Sequence, residues 1–259
     1  MVYLLGMSFL LNSALHAQNE QEAKNTNGKT MTWTTKSEAA RKLAMEGAKH
    51  HRNVEYERAY EKFLEAIDQD SNFTIPLVFL ATMTRGQTKE MYAKKAMESA
   101  ADKTEGEKLF ASLANEKATP EANREVWTKL HDMFPDGAMI GYYYVITRAT
   151  PQDRFDAAQK YMKQFPNEAA IYNDLGYYYM NEKKDFGTAK KYFEKYIQLY
   201  PEGSNPYDSM GEFYALTGDA ANAEKYYTLA LEKYPYTNSS LVALKKIEDD
   251  KKKNTAKKN

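Results

Sequence analysis

The 259-residue chain contains no cysteine. That absence excludes disulfides, thiolate metal sites, a cysteine nucleophile and a lipidated cysteine. Net charge is also absent, with 36 lysine plus arginine balancing 36 aspartate plus glutamate. Without a broad positive field the sequence does not point to nucleic acid or an anionic membrane surface. Long hydrophobic runs are missing except near the start, where residues 2–17 read "VYLLGMSFLLNSALHA". This run is short for a span of about 20 residues. It ends in small residues, which predicts a signal peptide cleaved after Ala17, with an uncleaved anchor as the alternative. Export to the periplasm or cell exterior follows as an expectation, and no stable membrane span is expected elsewhere.

Alternating β-branched runs are lacking too, so strands are not needed anywhere. A loose segment, residues 18–34, precedes the first helical periodicity, where Thr35-x-x-Glu38 predicts a capping box. Thr104-x-x-Glu107 predicts a second, and Thr119-Pro120 places an N-cap before a proline at the first helical position. The residues after 250, "KKKNTAKKN", predict a disordered basic tail.

What the chain has in abundance is tyrosine, with 21 in all. Seventeen lie at or beyond residue 142, and "GYYY" occurs at 141–144 and again at 176–179. Tyr172-x-x-Leu175-Gly176-x-x-Tyr179, Ala189-x-x-x-Phe193 and Pro201 form one pattern. Tyr207-x-x-Met210-Gly211-x-x-Tyr214, Ala223-x-x-x-Tyr227, Ala230 and Pro235 form the next, and Gly47, Tyr56, Ala59, Phe63 and Ala66 form a third. The spacing resembles that of the tetratricopeptide-repeat (TPR) family; as a whole, with "TTKSEAA" and "TEGEKLF", the chain resembles the TPR arrays of bacterial exported and signalling proteins. The likeness implies an all-α, right-handed α-solenoid over residues 35–250, of about six helix pairs and a C-terminal capping helix, clearest at 37–72, 168–201 and 203–235. A solenoid needs such a cap because its last repeat otherwise exposes an apolar face. The Gly141 unit, read with Phe155, Ala158 and Met162, has a helix B about four residues short before Pro166. That predicts a change of superhelical pitch at 150–166.

Catalytic, metal and cofactor residues are not indicated. Beyond residue 17 there are three histidines. His50 and His51 are adjacent on a helix and diverge, so they cannot chelate one ion together; His50 falls at a packed position of the repeat. His131 reads as a surface histidine. No phosphate loop, zinc-protease or nucleophile-elbow motif occurs.

The resemblance further implies a non-enzymatic scaffold that binds a protein or peptide on its concave face. Carried over by position, the groove comprises Asn173, Tyr177, Met180 and Asn181 in one unit and Asp208, Glu212, Ala215 and Leu216 in the next. Tyr142, Val145 and Ile146 extend it. Tyr144, Tyr179 and Tyr214 are expected in the core, and Tyr143 and Tyr178 are left open. Acidic groups in this wall argue for a partner with an apolar anchor and a basic or polar flank. Stacking of sugar rings or another small molecule on surface tyrosines is the alternative.

Overall fold

A computed structural model describes residues 28–115 and 117–256. The proposed signal peptide and most of the expected loose segment lie outside these residues. The described part is helical throughout, with no strand among the described residues. Six helix pairs succeed one another: α1 (Glu38–Arg52) with α2 (Tyr56–Gln69), α3 (Thr74–Met83) with α4 (Gly86–Ala100), α5 (Glu105–Ala111) with α6 (Pro120–Met133), α7 (Ala138–Ile146) with α8 (Pro151–Gln164), α9 (Ala170–Tyr178) with α10 (Phe186–Leu199), and α11 (Asn205–Leu216) with α12 (Ala220–Lys233). The last helix, α13 (Asn238–Ala256), packs on α12.

Glycine allows the two helices of a pair to meet. A Cβ on Gly47 would lie 2.7 Å from the Phe63 ring, one on Gly176 2.5 Å from Phe193, and one on Gly211 2.7 Å from Tyr227. Phe63 and Phe193 are fully buried in consequence. Each such ring contributes up to about 3 kcal/mol by leaving water.

Two caps follow the sequence and one does not. Thr104 and Glu107 form the reciprocal capping box, and Thr119 caps α6 ahead of Pro120. At α1 the cap is Ser37, whose hydroxyl accepts from the Ala40 amide. Thr35 instead accepts from the Ser37 amide and donates to Asp70 at 2.5 Å.

The expected looseness of 18–34 does not extend to its described part. The Thr34 amide and hydroxyl donate to the two oxygens of Glu107 at 2.7 and 2.8 Å, and the Lys29 amide donates to Asp136 at 2.8 Å. Met31 is buried beside Gly106 and Phe134, which covers the start of α5. At the other end, α13 runs helically to 256 through much of the expected disordered tail.

The Gly141 unit is not shortened. α8 and α10 both have 14 residues. Their starts (Pro151 and Phe186), their ends (Gln164 and Leu199) and the following prolines (166 and 201) are each 35 residues apart, as are Gly141 and Gly176. The expectation of a pitch change therefore loses its basis. In the true register Arg154, Ala157 and Ala158 stand where α10 has Ala189, Tyr192 and Phe193. Tyr161 moves in over Gly141, with ring carbons 3.0 Å from a Cβ built there.

This unit and the next are each one residue longer between those positions than the first and the last. Gly141 to Arg154 and Gly176 to Ala189 are 13 apart, against 12 for Gly47 to Ala59 and for Gly211 to Ala223. In the Gly176 unit a π turn over Tyr179–Lys183 absorbs the extra residue and ends on Lys184 at φ 55°. Single π turns are a common way to accommodate one inserted residue within a helix.

Candidate functional site

The residues expected to line the concave face divide sharply. Tyr142, Asn173, Met180 and Asp208 are buried. Tyr142 donates its hydroxyl to the Arg52 carbonyl at 3.2 Å, and Met180 belongs to a core with Phe193, Met210 and Phe213. Asp208 accepts from the Ser240 hydroxyl of α13, so the capping helix covers it. Burial raises its carboxyl above the ordinary value, more than the Ser240 and Ser239 hydrogen bonds lower it. These four are therefore packing groups rather than an open wall.

Tyr177, Asn181, Glu212 and Leu216 do form an accessible rim. Tyr177 is half-buried, edge-on to Phe193 at 5.2 Å, and donates to Glu212 at 2.7 Å. Asn181 and Glu212 are exposed, and Leu216 is 56% exposed. Tyr142 and Tyr143 are the buried members of the first "GYYY", and Tyr144, Tyr179 and Tyr214, expected in the core, are half-buried and pack against it. Tyr178 stacks on Phe155 at 4.6 Å and bonds Gln152 at 3.1 Å. With Tyr142, Tyr177 and Tyr178 all packed against neighbours, stacking on sugar rings loses its motive.

The turn between α1 and α2 covers Tyr142. α1 ends at Arg52 with Asn53 as its C-cap, and Val54 takes a left-handed φ of 61°. This turn aims Glu55 at the far end of the molecule. The Glu55 side chain, 1% exposed, accepts from the Tyr200 hydroxyl at 2.7 Å, the Ser204 amide at 2.5 Å and the Ser204 hydroxyl at 3.1 Å, and meets His50 Nδ1 at 2.6 Å. Burial alone would raise the carboxyl, but hydrogen bonds from His50, Tyr200 and Ser204 outweigh it and hold the pKa at about 2. Neighbouring contacts reinforce the dock. Tyr143 bonds His51 at 2.7 Å, Tyr196 donates to the Asn53 carbonyl at 3.3 Å, Arg52 pairs with Glu168 at 3.3 Å, and Lys49 pairs with Glu202 at 2.8 Å. Burial lowers His51 to about 4, with Arg52 adding to the shift. His50 is thus a packed residue, as its position in the repeat implies. Glu55 and Arg52 had no motif to reveal them.

Beside the open rim lies a recess of about 280 Å³, lined among others by Ile146, Arg154, Ala158, Asp174, Tyr177 and Asn181. Its cause is local: Ala158 occupies the position that Phe193 fills in the next pair. Asp174 carries a buried Oδ2 without a hydrogen-bond partner. Burial pushes its carboxyl up to about 7, against the opposing pull of Tyr142 and Arg154. Glu182 also lines the recess, so its carboxylates outnumber its single cation, Arg154. The arrangement suits a basic side chain, which would supply the absent partner.

Among the described residues no group of three or more His, Cys, Asp or Glu is placed to hold a metal ion, and no helix is long and apolar enough to cross a membrane.

No family model matches the sequence, and neither does any curated protein. Among solved structures, 155 chains match. One is the APC/C hetero-tetramer Cut9–Hcn1, at 15% identity and TM-score 0.50 over 80% of this chain and 42% of that one. A second is PilW, described as a widely conserved type IV pilus biogenesis factor, at 14% identity and TM-score 0.47 over 80% of this chain and 99% of that one. A third is a thermophilic TPR protein in Thermus thermophilus, at 16% identity and TM-score 0.38 over 81% of this chain and 98% of that one. At 15% identity the likeness to Cut9–Hcn1 speaks to the fold alone, and the match spans less than half of that chain.

Proposed function

We propose that this chain, a tetratricopeptide-repeat solenoid by fold, is a non-enzymatic interaction scaffold that holds a protein or peptide segment at the rim Tyr177, Asn181, Glu212 and Leu216. The observation that supports the reading is the buried, partner-deficient Asp174 carboxyl in the recess that Tyr177 and Asn181 also line. A basic side chain of the partner enters this recess, while Leu216 offers an apolar contact at the other end of the rim. The first helix pair already occupies the neighbouring stretch at Tyr142, Tyr196 and Tyr200, which confines the partner to the α9–α11 side.

Affinity capture with the wild type and with Glu212→Lys plus Leu216→Asp tests the site. Both residues are exposed, so the double variant should keep its melting temperature and lose the partner. Unchanged recovery of that partner would sink the assignment. Export rests on residues 2–17 alone. Fractionation of a C-terminally tagged full chain tests it, and accumulation in the cytoplasm would remove that part of the proposal.

A further inference from the structure

A second, larger recess, of about 510 Å³, opens between α6, α7 and α8. On α7 it meets Gly141, Tyr144 and Val145, on the flank of that helix roughly opposite Tyr142 and Tyr143, and just beyond its end Arg148. It is separate from the rim proposed for the partner, and its origin is visible in the repeat. In the two following pairs a tyrosine of helix A stacks on a tyrosine of helix B: Tyr179 on Tyr192 at 5.3 Å, and Tyr214 on Tyr226 at 5.4 Å. The same register pairs Tyr144 with Ala157. The ring that would fill the space is missing.

Cations take its place. Arg124, Arg148 and Lys160 line the recess, and none of the three makes an ion pair with a carboxylate among the described residues. Arg124 uses only Nε, on the Thr147 carbonyl at 2.9 Å. Arg148 lies over the Tyr144 ring at 3.9 Å, donating from Nε to the Tyr144 carbonyl at 2.8 Å and from Nη2 to Thr128 at 2.9 Å. The guanidinium groups are therefore fixed by the backbone while other N–H groups remain unused. His131 stacks on the Tyr144 ring at 4.3 Å, half-buried rather than on the surface as expected, and its buried Nδ1 has no hydrogen-bond partner among the described residues. Two carboxylates also line the recess, so the cations exceed the anions by one; Asp153 accepts from Thr150 at 2.7 Å and Asp156 from Gln152 at 2.9 Å, which holds both side chains against their own helix.

We propose that this recess is an oxyanion site, in which Arg124, Arg148 and Lys160 hold the carboxylate or phosphate group of a small ligand. Its volume falls in the range of small-ligand clefts. Guanidinium groups anchored through Nε present their remaining N–H donors as a fork that matches either oxyanion. Both chemistries share the three cations, and the choice between them is made by the ligand.

The test is a two-dimensional NMR titration of the full chain with citrate and, separately, inorganic phosphate at low ionic strength. Saturable shifts confined to α6, α7 and α8 are expected with at least one probe, and the probe that saturates first identifies the group. Ala157→Tyr restores the missing ring without touching a cation and should abolish the response. Lys160→Glu, at an exposed position, should weaken it about tenfold or more while the fold is kept. Shifts with neither probe, or an equal response from Ala157→Tyr, overturn the proposal; an equal response from a folded Lys160→Glu does so as well.

Discussion

Tyr200 donates its hydroxyl to the carboxylate of Glu55 at 2.7 Å, across 145 positions of sequence. A solenoid ordinarily carries contacts only between neighbouring repeats. Here the first pair touches the fifth and the start of the sixth, so the two ends share one buried anion.

Loss of that anion should uncouple them. Glu55→Gln keeps the size but offers an amide where His50, Tyr200 and Ser204 present donors, and we expect a loss of about 2 kcal/mol at neutral pH. The Glu55 carboxyl lies below its ordinary value, so its contribution is complete above 4.5 and disappears as pH falls towards about 2. Urea denaturation of wild type and Glu55→Gln across this window should show the two converging at the acidic end. A constant difference from neutral pH down to about 2 would contradict the assignment.

Val54 holds the turn that presents Glu55. Its φ is 61°, and the corresponding residue of the sixth pair, seven after Gly211 as Val54 is seven after Gly47, is Gly218 at φ 83°. A β-branched residue in the left-handed region is strained, and glycine there is not. Val54 is 41% exposed and little packing is lost with it. Val54→Gly should stabilise by about 1 kcal/mol, a rise of roughly 2–4 °C in Tm for a chain of this size. A fall in Tm would show that the side chain matters more than the backbone.

Close helix contact gives a contrast within one repeat. Gly176→Ala places a methyl group 2.5 Å from the Phe193 ring, whereas at Gly187 the nearest atom is Asp185 Oδ1 at 3.6 Å. The first change should cost about 1–3 kcal/mol by overpacking. The second should be neutral or stabilising by up to about 1 kcal/mol, because alanine restricts the unfolded chain. Thermal melts of the two variants, made in parallel, separate packing from propensity.

The repeat was legible because helix contact demands small residues at fixed intervals, and Gly47, Gly176 and Gly211 mark them. The fourth pair misled because its large and small residues are exchanged: Arg154 and Ala158 stand where Ala189 and Phe193 do, and matching Ala158 to Ala189 shifts the register by four. Half of the concave wall was also illegible. Tyr142 and Asp208 have the right positions for a groove, but Arg52 and Ser240 reach them from distant elements. No periodicity records where the first pair or the capping helix docks, since that depends on the accumulated superhelix and on single groups such as Glu55.

Asp174 titrates in the opposite sense to Glu55. Burial raises its carboxyl from 3.8 to about 7, so the folded chain keeps a proton that the unfolded chain releases, and stability falls as pH rises across that interval. Asp174→Asn removes this slope and should be the more stable protein at pH 7, by roughly 1–3 kcal/mol. The same substitution removes the group that a basic partner side chain would meet. Arg154 opposes such a side chain, and Glu182 and Glu212 favour it, so ionisation of Asp174 tips the balance. Partner affinity in the wild type should therefore increase as pH is raised through about 7, and the variant should bind weakly at every pH despite its greater stability. Titration of the captured partner at several pH values, alongside denaturation curves, checks both halves. A variant that is more stable yet binds as well as the wild type would leave Asp174 as an inert buried acid and move the contact to Glu212 and Leu216 alone.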